Sequence, residues 1–149
     1  MKDYFTYKII PELKLIIEFG YGILNYENGL SFKLKESQDK DFNSTFNFLV
    51  VYTHLKIQYT KEDIAHYVDI LKEHKEIVGN RKSAMLTDTP NQVVFNYMYR
   101  TALKEFAMTF EIFSSLSAAL DWLGVPIESE STINNLIEDW VKYATQLNQ

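Results

Sequence analysis

The run Phe-Asn-Phe-Leu-Val-Val-Tyr-Thr (Phe46 to Thr53) constrains this chain more than any other stretch. It carries no charge and is rich in β-branched and aromatic residues, which suits a strand covered on both faces. It is far too short to span a bilayer, which takes about 20 residues. A strand buried on both sides needs helices above and below it. It also needs parallel neighbours reached through helical crossovers. The expectation is an α/β domain.

The flanking sequence supplies the parts. Phe5 to Ile9 alternates apolar and polar residues, Pro11-Glu12 marks a turn, and Leu13 to Gly20 reads as a second strand, so the chain opens with a β-hairpin. Gly20 and Gly22 predict the exit from that hairpin. Asn25 predicts the cap of a helix reaching about Gln38, with Tyr26, Leu30 and Leu34 on one face. After the buried strand, Thr60-Lys61-Glu62-Asp63 is close to a capping box. It opens a helix with an apolar stripe of Ile64, Val68, Leu71 and Val78, stopped at Gly79. Lys82 to Asp88 is the next strand, and Thr89-Pro90-Asn91-Gln92 starts a helix that runs to about Ala107. Met108 to Phe113 is the last strand. Ser114 or Ser115 caps a short helix whose Leu116, Ala119, Leu120 and Leu123 face inward, and Gly124 ends it. Strands alternating with helices imply a mixed sheet with right-handed crossovers. Beyond Pro126, an amphipathic helix from about Ser131 to Leu147 carries Ile133, Leu136, Ile137, Trp140, Val141 and Ala144 at helical spacing. The expected organisation is an α/β domain over 1–125 and a helical extension over 126–149, packed on the same domain or on a partner subunit.

Composition excludes several functions. Twenty acidic residues against fifteen basic ones give a net charge of −5, which argues against nucleic acid as a partner. There is no cysteine, hence no disulfide, thiolate nucleophile or Cys-based zinc site. The N-terminus lacks a secretory pattern and no run is long enough for a transmembrane segment, so the expected compartment is cytoplasmic. His54, His66 and His74 lack metal-ligand spacing, although Glu62 and Asp69 flank His66 on one helix. Ser114-Ser115 serves as a cap, and Asp88-Thr89 reads as a turn with a cap. No catalytic residue, metal or cofactor is expected, and the chain is not expected to be an enzyme.

The aromatic content is the unusual entry, with ten Phe, ten Tyr and two Trp. On the helix after Thr89, Val94, Phe95, Met98, Tyr99, Ala102, Leu103 and Phe106 form an arc of roughly 180°, wider than one core face requires. Two accounts stay open: a deeply covered helix, or a rim of aromatics left for a second subunit or an apolar ligand. The candidate interaction surface is Phe95, Tyr99, Leu103 and Phe106, together with Trp140 of the C-terminal helix.

The order and spacing from Phe46 to Val125 resemble the STAS-like family, the fold of anti-sigma-factor antagonists, and most of all its small bacterial STAS/Sec14-like branch. The residues that carry this are "DFNSTFNFLVVY", "RKSAMLTDTPNQVV" and "FEIFSSLSAALDWLGV". The resemblance implies crossover helices on one side of a sheet in near-sequential strand order. It also implies a phosphorylation switch at the helix after the buried strand. Where antagonists carry Asp-Ser-Ser, this chain has Gln58-Tyr59-Thr60, so Thr60 is the sole candidate switch position. The function expected is a non-catalytic protein-interaction or regulatory module, acting on a protein partner or as a homodimer. The alternative is a small apolar-ligand or lipid-binding protein.

Overall fold

In the computed structural model, which describes residues 1–149, five strands form one sheet in the order β1–β2–β3–β4–β5. They are β1 (Tyr4–Ile10), β2 (Leu15–Asn25), β3 (Asn47–Gln58), β4 (Lys82–Leu86) and β5 (Thr109–Phe113). β1 is antiparallel to β2, and every later pair is parallel. The helices are α1 (Tyr26–Ser37), α2 (Lys61–Glu73), α3 (Lys75–Val78), α4 (Pro90–Ala102), α5 (Leu116–Trp122) and α6 (Glu130–Leu147). The hairpin, the alternating units and the C-terminal helix of the sequence reading are all present.

Chain direction decides which face each helix covers. From β2 to β5 the strands succeed one another in a single direction, and right-handed crossovers then deliver their helices to one side. Accordingly α1 to α4 share a core with Ile16, Phe48, Val50 and Met85. The alternate residues of the same strands, Leu15, Ile17, Leu49, Val51 and Ala84, point the other way and are covered by α5 and α6. Ile133 and Ala144 of α6 lie fully inside that second core. No helix is long and apolar enough to cross a membrane.

The helix starts are as legible as their caps. The side chains of Asn25, Thr60 and Thr89 each accept a hydrogen bond from the backbone N–H three residues on, and the side chain at that third position accepts one from the cap's own N–H. Ser115 caps α5 in the same manner without the return bond. The endings differ more. β2 does not leave the sheet at its glycines. The register shifts between Phe19 and Tyr21, and the strand continues to Asn25 beside an equally prolonged β3. Gly22 makes this passage at φ +108°, where a side chain would be strained and a Cβ would strike the Asp3 carboxylate. The helix opened by Thr60 breaks at His74 (φ −122°, ψ 61°) and resumes as the single turn α3. α4 ends at Ala102, short of Ala107, because the chain must turn back to start β5, where the Thr109 N–H donates to the Arg81 carbonyl.

Candidate functional site

Charge enters the core on the face beneath α1 to α4. Glu18 interrupts the apolar run of β2, and strand alternation turns it toward those helices with Ile16. It is 4% exposed. Lys33 of α1 reaches down to form an ion pair with Glu18, and its Nζ lies 3.8 Å from the Glu36 carboxyl one turn on. Glu36 is wholly buried. Arg81, just before β4, is also buried and donates through Nη2 to the Glu76 carbonyl at 3.2 Å. The Phe48 ring carries both cations, with Lys33 Nζ at 4.1 Å and the Arg81 guanidinium carbon at 4.3 Å from its centroid. Gly79 makes room for this packing. A Cβ there would come within 2.0 Å of the Ser44 carbonyl oxygen and 2.9 Å of Arg81 Nε.

Neither Glu36 oxygen has a hydrogen-bond donor from the protein, and Arg81 Nε and Nη1 have no acceptor. A buried carboxylate without donors is expensive, so the proton stays on. Burial first, and the neighbouring Glu18 second, push the Glu36 carboxyl up to about 9. The protonated group can share its hydrogen with Glu18. Burial lowers Arg81 to about 10, which leaves it cationic at neutral pH. Because the folded-state value of Glu36 lies above its ordinary one, folding takes up a proton between about pH 4.5 and 9. The stability contributed by the protonated form is complete below that window and declines through it as pH rises. Glu36→Gln keeps the shape of the protonated acid and removes the titration. Its stability relative to the parent should rise by more than about 1 kcal/mol between pH 5 and pH 8, measured by urea unfolding. A difference that does not change with pH would show that Glu36 is ionised in the folded protein.

Glu18 and Lys33 form one wall of a cleft of about 70 Å³ between the sheet and α1, α2 and α4. The remainder of the lining is chiefly aromatic and aliphatic, with Tyr52, Tyr67, Phe95 and Tyr99 prominent. Burial, above all, raises the three tyrosine hydroxyls well above their ordinary values, so they stay protonated. The volume is about half that of an apolar cavity able to hold benzene, ~150 Å³.

The five residues expected to form an interaction surface do not lie on one surface. Phe95 stacks on Tyr99 with the ring planes 13° apart, and Leu103 is fully buried, all in the core beneath α4. Phe106 packs against the same core from the turn beyond the helix. Trp140 lies across the sheet, 5.7 Å from the Phe19 ring. The large apolar side chains that α4 leaves exposed are Val93, Val94 and Tyr97, at 42%, 57% and 59% exposure. Their spacing puts them on adjoining turns of the outer face. Val94, read from the sequence as part of the inward arc, is therefore outside it. The Thr60 hydroxyl accepts from the Asp63 N–H at 3.0 Å, so the candidate switch position serves as the cap of α2.

Other positions weighed from the sequence are accounted for locally. His54 stacks on Tyr21, His66 meets Tyr26 edge-on, and His74 contacts Glu76, so the three do not converge. The backbone amides of Asp88 and Thr89, at the start of α4, both donate to the Gln92 side chain. The cluster of Glu18, Lys33, Glu36 and Arg81 was not anticipated. One signal for it exists: Glu18 is the single charge between Leu15 and Phe19 in a run otherwise wholly apolar.

No protein-family model matches this sequence, and no curated protein matches it either. Among solved structures, it is similar to an uncharacterized protein of the DUF3478 family from Shewanella loihica PV-4, which has a SpoIIAA-like fold. The TM-score is 0.52 at 17% sequence identity, covering 81% of this chain and 93% of that one. The chain thus has the SpoIIAA-like, or STAS-like, fold that its strand and helix order implied.

Proposed function

We propose that this protein is a non-catalytic binding module whose cleft takes up a small, largely apolar molecule. The observation that carries the reading is the Glu18–Lys33 pair in the wall of an otherwise apolar, aromatic cleft. Charges in a core are costly to bury. An apolar cleft with a few convergent polar groups is the usual construction of a small-molecule site. The SpoIIAA-like fold supports a regulatory or interaction role for such a module. Xenon tests the reading without presupposing a headgroup. Under pressure, it should shift the backbone amide resonances of cleft residues such as Gly20, Leu55 and Tyr99 saturably. Shifts scattered over the surface, or none, would sink the proposal.

A second reading has its own observation. α4 lines the cleft with Phe95 and Tyr99 and shows solvent Val93, Val94 and Tyr97, so one helix faces both a ligand and a partner protein. That partner can be a second copy of the chain. Sedimentation velocity should then reveal self-association that Val94→Asp with Tyr97→Asp abolishes. A chain that stays monomeric at several hundred micromolar removes the homodimer.

A further inference from the structure

The chemistry of the cleft wall narrows the ligand, on the reading that the cleft binds a small molecule. Glu18 lines the cleft while being 4% exposed, so whatever occupies the space meets this carboxyl away from bulk water. A carboxylate offers about four lone-pair positions. Lys33 takes one, and a proton on the neighbouring Glu36 would take at most one more. Acceptor capacity therefore remains on Glu18. Lys33 also lines the cleft, with its side chain 16% exposed. Its ammonium carries three N–H groups, and the one hydrogen bond it makes is to Glu18. The wall thus presents a spare acceptor and a spare donor side by side. The rest of the lining is apolar or aromatic, apart from tyrosine hydroxyls and the hydroxyl of Ser83.

Each class of headgroup meets this wall differently. An acid would bring its own negative charge against Glu18, and an amine would bring a positive charge against Lys33. An ether can accept from Lys33 but gives Glu18 nothing. A hydroxyl is donor and acceptor at once and satisfies both. We propose that the cleft selects a neutral molecule with a hydroxyl head on a short apolar body, the hydroxyl lying between Glu18 and Lys33 and the body against Tyr52, Tyr67 and Phe95. In this account the buried ion pair is the specificity element of the site, and the aromatic lining supplies contact without discrimination.

The test compares ethanol, dimethyl ether, acetate and ethylammonium, similar in size and small enough for the cleft, by titrating the amide resonances of Gly20 and Gly29 in the intact protein at pH 7. Both glycines line the cleft. The alcohol should bind at least about tenfold more tightly than each of the other three, since a donor or acceptor left unmet in a buried site lowers affinity by that order. Glu18→Gln, nearly isosteric, supplies the second arm. Its amide oxygen stays with the Lys33 ammonium, and its NH2 turns the spare acceptor into a donor. The preference for the alcohol over the ether should then fall below about threefold. Ether, acid or amine binding as tightly as the alcohol in the parent overturns the proposal, and so does a tenfold preference that survives in Glu18→Gln. If xenon enters the cleft while the alcohol shows no advantage, the headgroup inference fails and the binding cleft stands. If xenon and all four probes fail, the binding reading fails with it.

Discussion

Removing residues 127–149 should leave a chain that is poorly soluble and destabilised by about 5 kcal/mol or more. The segment includes all of α6, whose Ile133, Leu136, Ile137, Trp140, Val141 and Ala144 belong to the core over Leu15, Ile17 and Phe19. Burying one large aliphatic or aromatic side chain contributes roughly 1.5–3 kcal/mol, so losing this stripe approaches the whole stability of an ordinary domain. The exposed sheet face would be an apolar patch of several hundred Å², of the kind that associates. The two termini would also lose their tie, because Asn148 accepts from the Lys2 N–H at 2.7 Å and donates to the Lys2 carbonyl. Denaturant unfolding and light scattering measure both effects. A truncated chain as stable and soluble as the parent would mean that α6 contributes nothing to this core.

Leu120→Ala should cost about 2–5 kcal/mol, the range for truncating a buried leucine where the surroundings relax only in part. Leu120 is 2% exposed in the middle of α5 and shares a core with Ala84, Leu86 and Ala119. α5 has only seven residues, too few to be stable without this contact. The backbone helps to fix it: Gly124, at φ +76°, ends the helix, and the Val125 N–H returns to the Leu120 carbonyl. A change below about half a kcal/mol in urea unfolding would mean that α5 is not held to the sheet through this residue.

Local chemistry made most of the scaffold legible. Thr60, Thr89 and Ser115 begin helices because a short hydroxyl side chain satisfies an amide that has no partner within the helix. Phe46 to Thr53 announces a two-sided strand because it carries no charge and its centre is apolar on both faces. The wide aromatic arc of α4 shows why a pattern alone stops short. A helical wheel gives the breadth of an apolar face but not the depth of the layer that will receive it. In the fold, Tyr52 and Tyr67 rise to meet Phe95 and Tyr99, which draws those rings inward and leaves Val93 and Val94 outside. Trp140 obeyed its own helix pattern equally well, yet lies beyond the sheet from that arc, because α6 follows the last crossover and covers the face the crossovers leave bare.

The α/β class, the order of elements and the sites where helices begin are legible in the chain alone, since each depends on residues a few positions apart. Where β2 and β3 run on through a register shift, and where the helix after Thr60 breaks, emerge only with packing, since both answer to neighbouring elements. Packing alone decided the site. Glu18, Lys33, Glu36 and Arg81 come from β2, α1 and the approach to β4, and none has an unusual sequence neighbour except Glu18. The place of Glu18 and Lys33 on a cleft wall, the contact of Lys33 and Arg81 with Phe48 and the burial of Glu36 follow from tertiary packing, and none is a property of the chain until its two layers close.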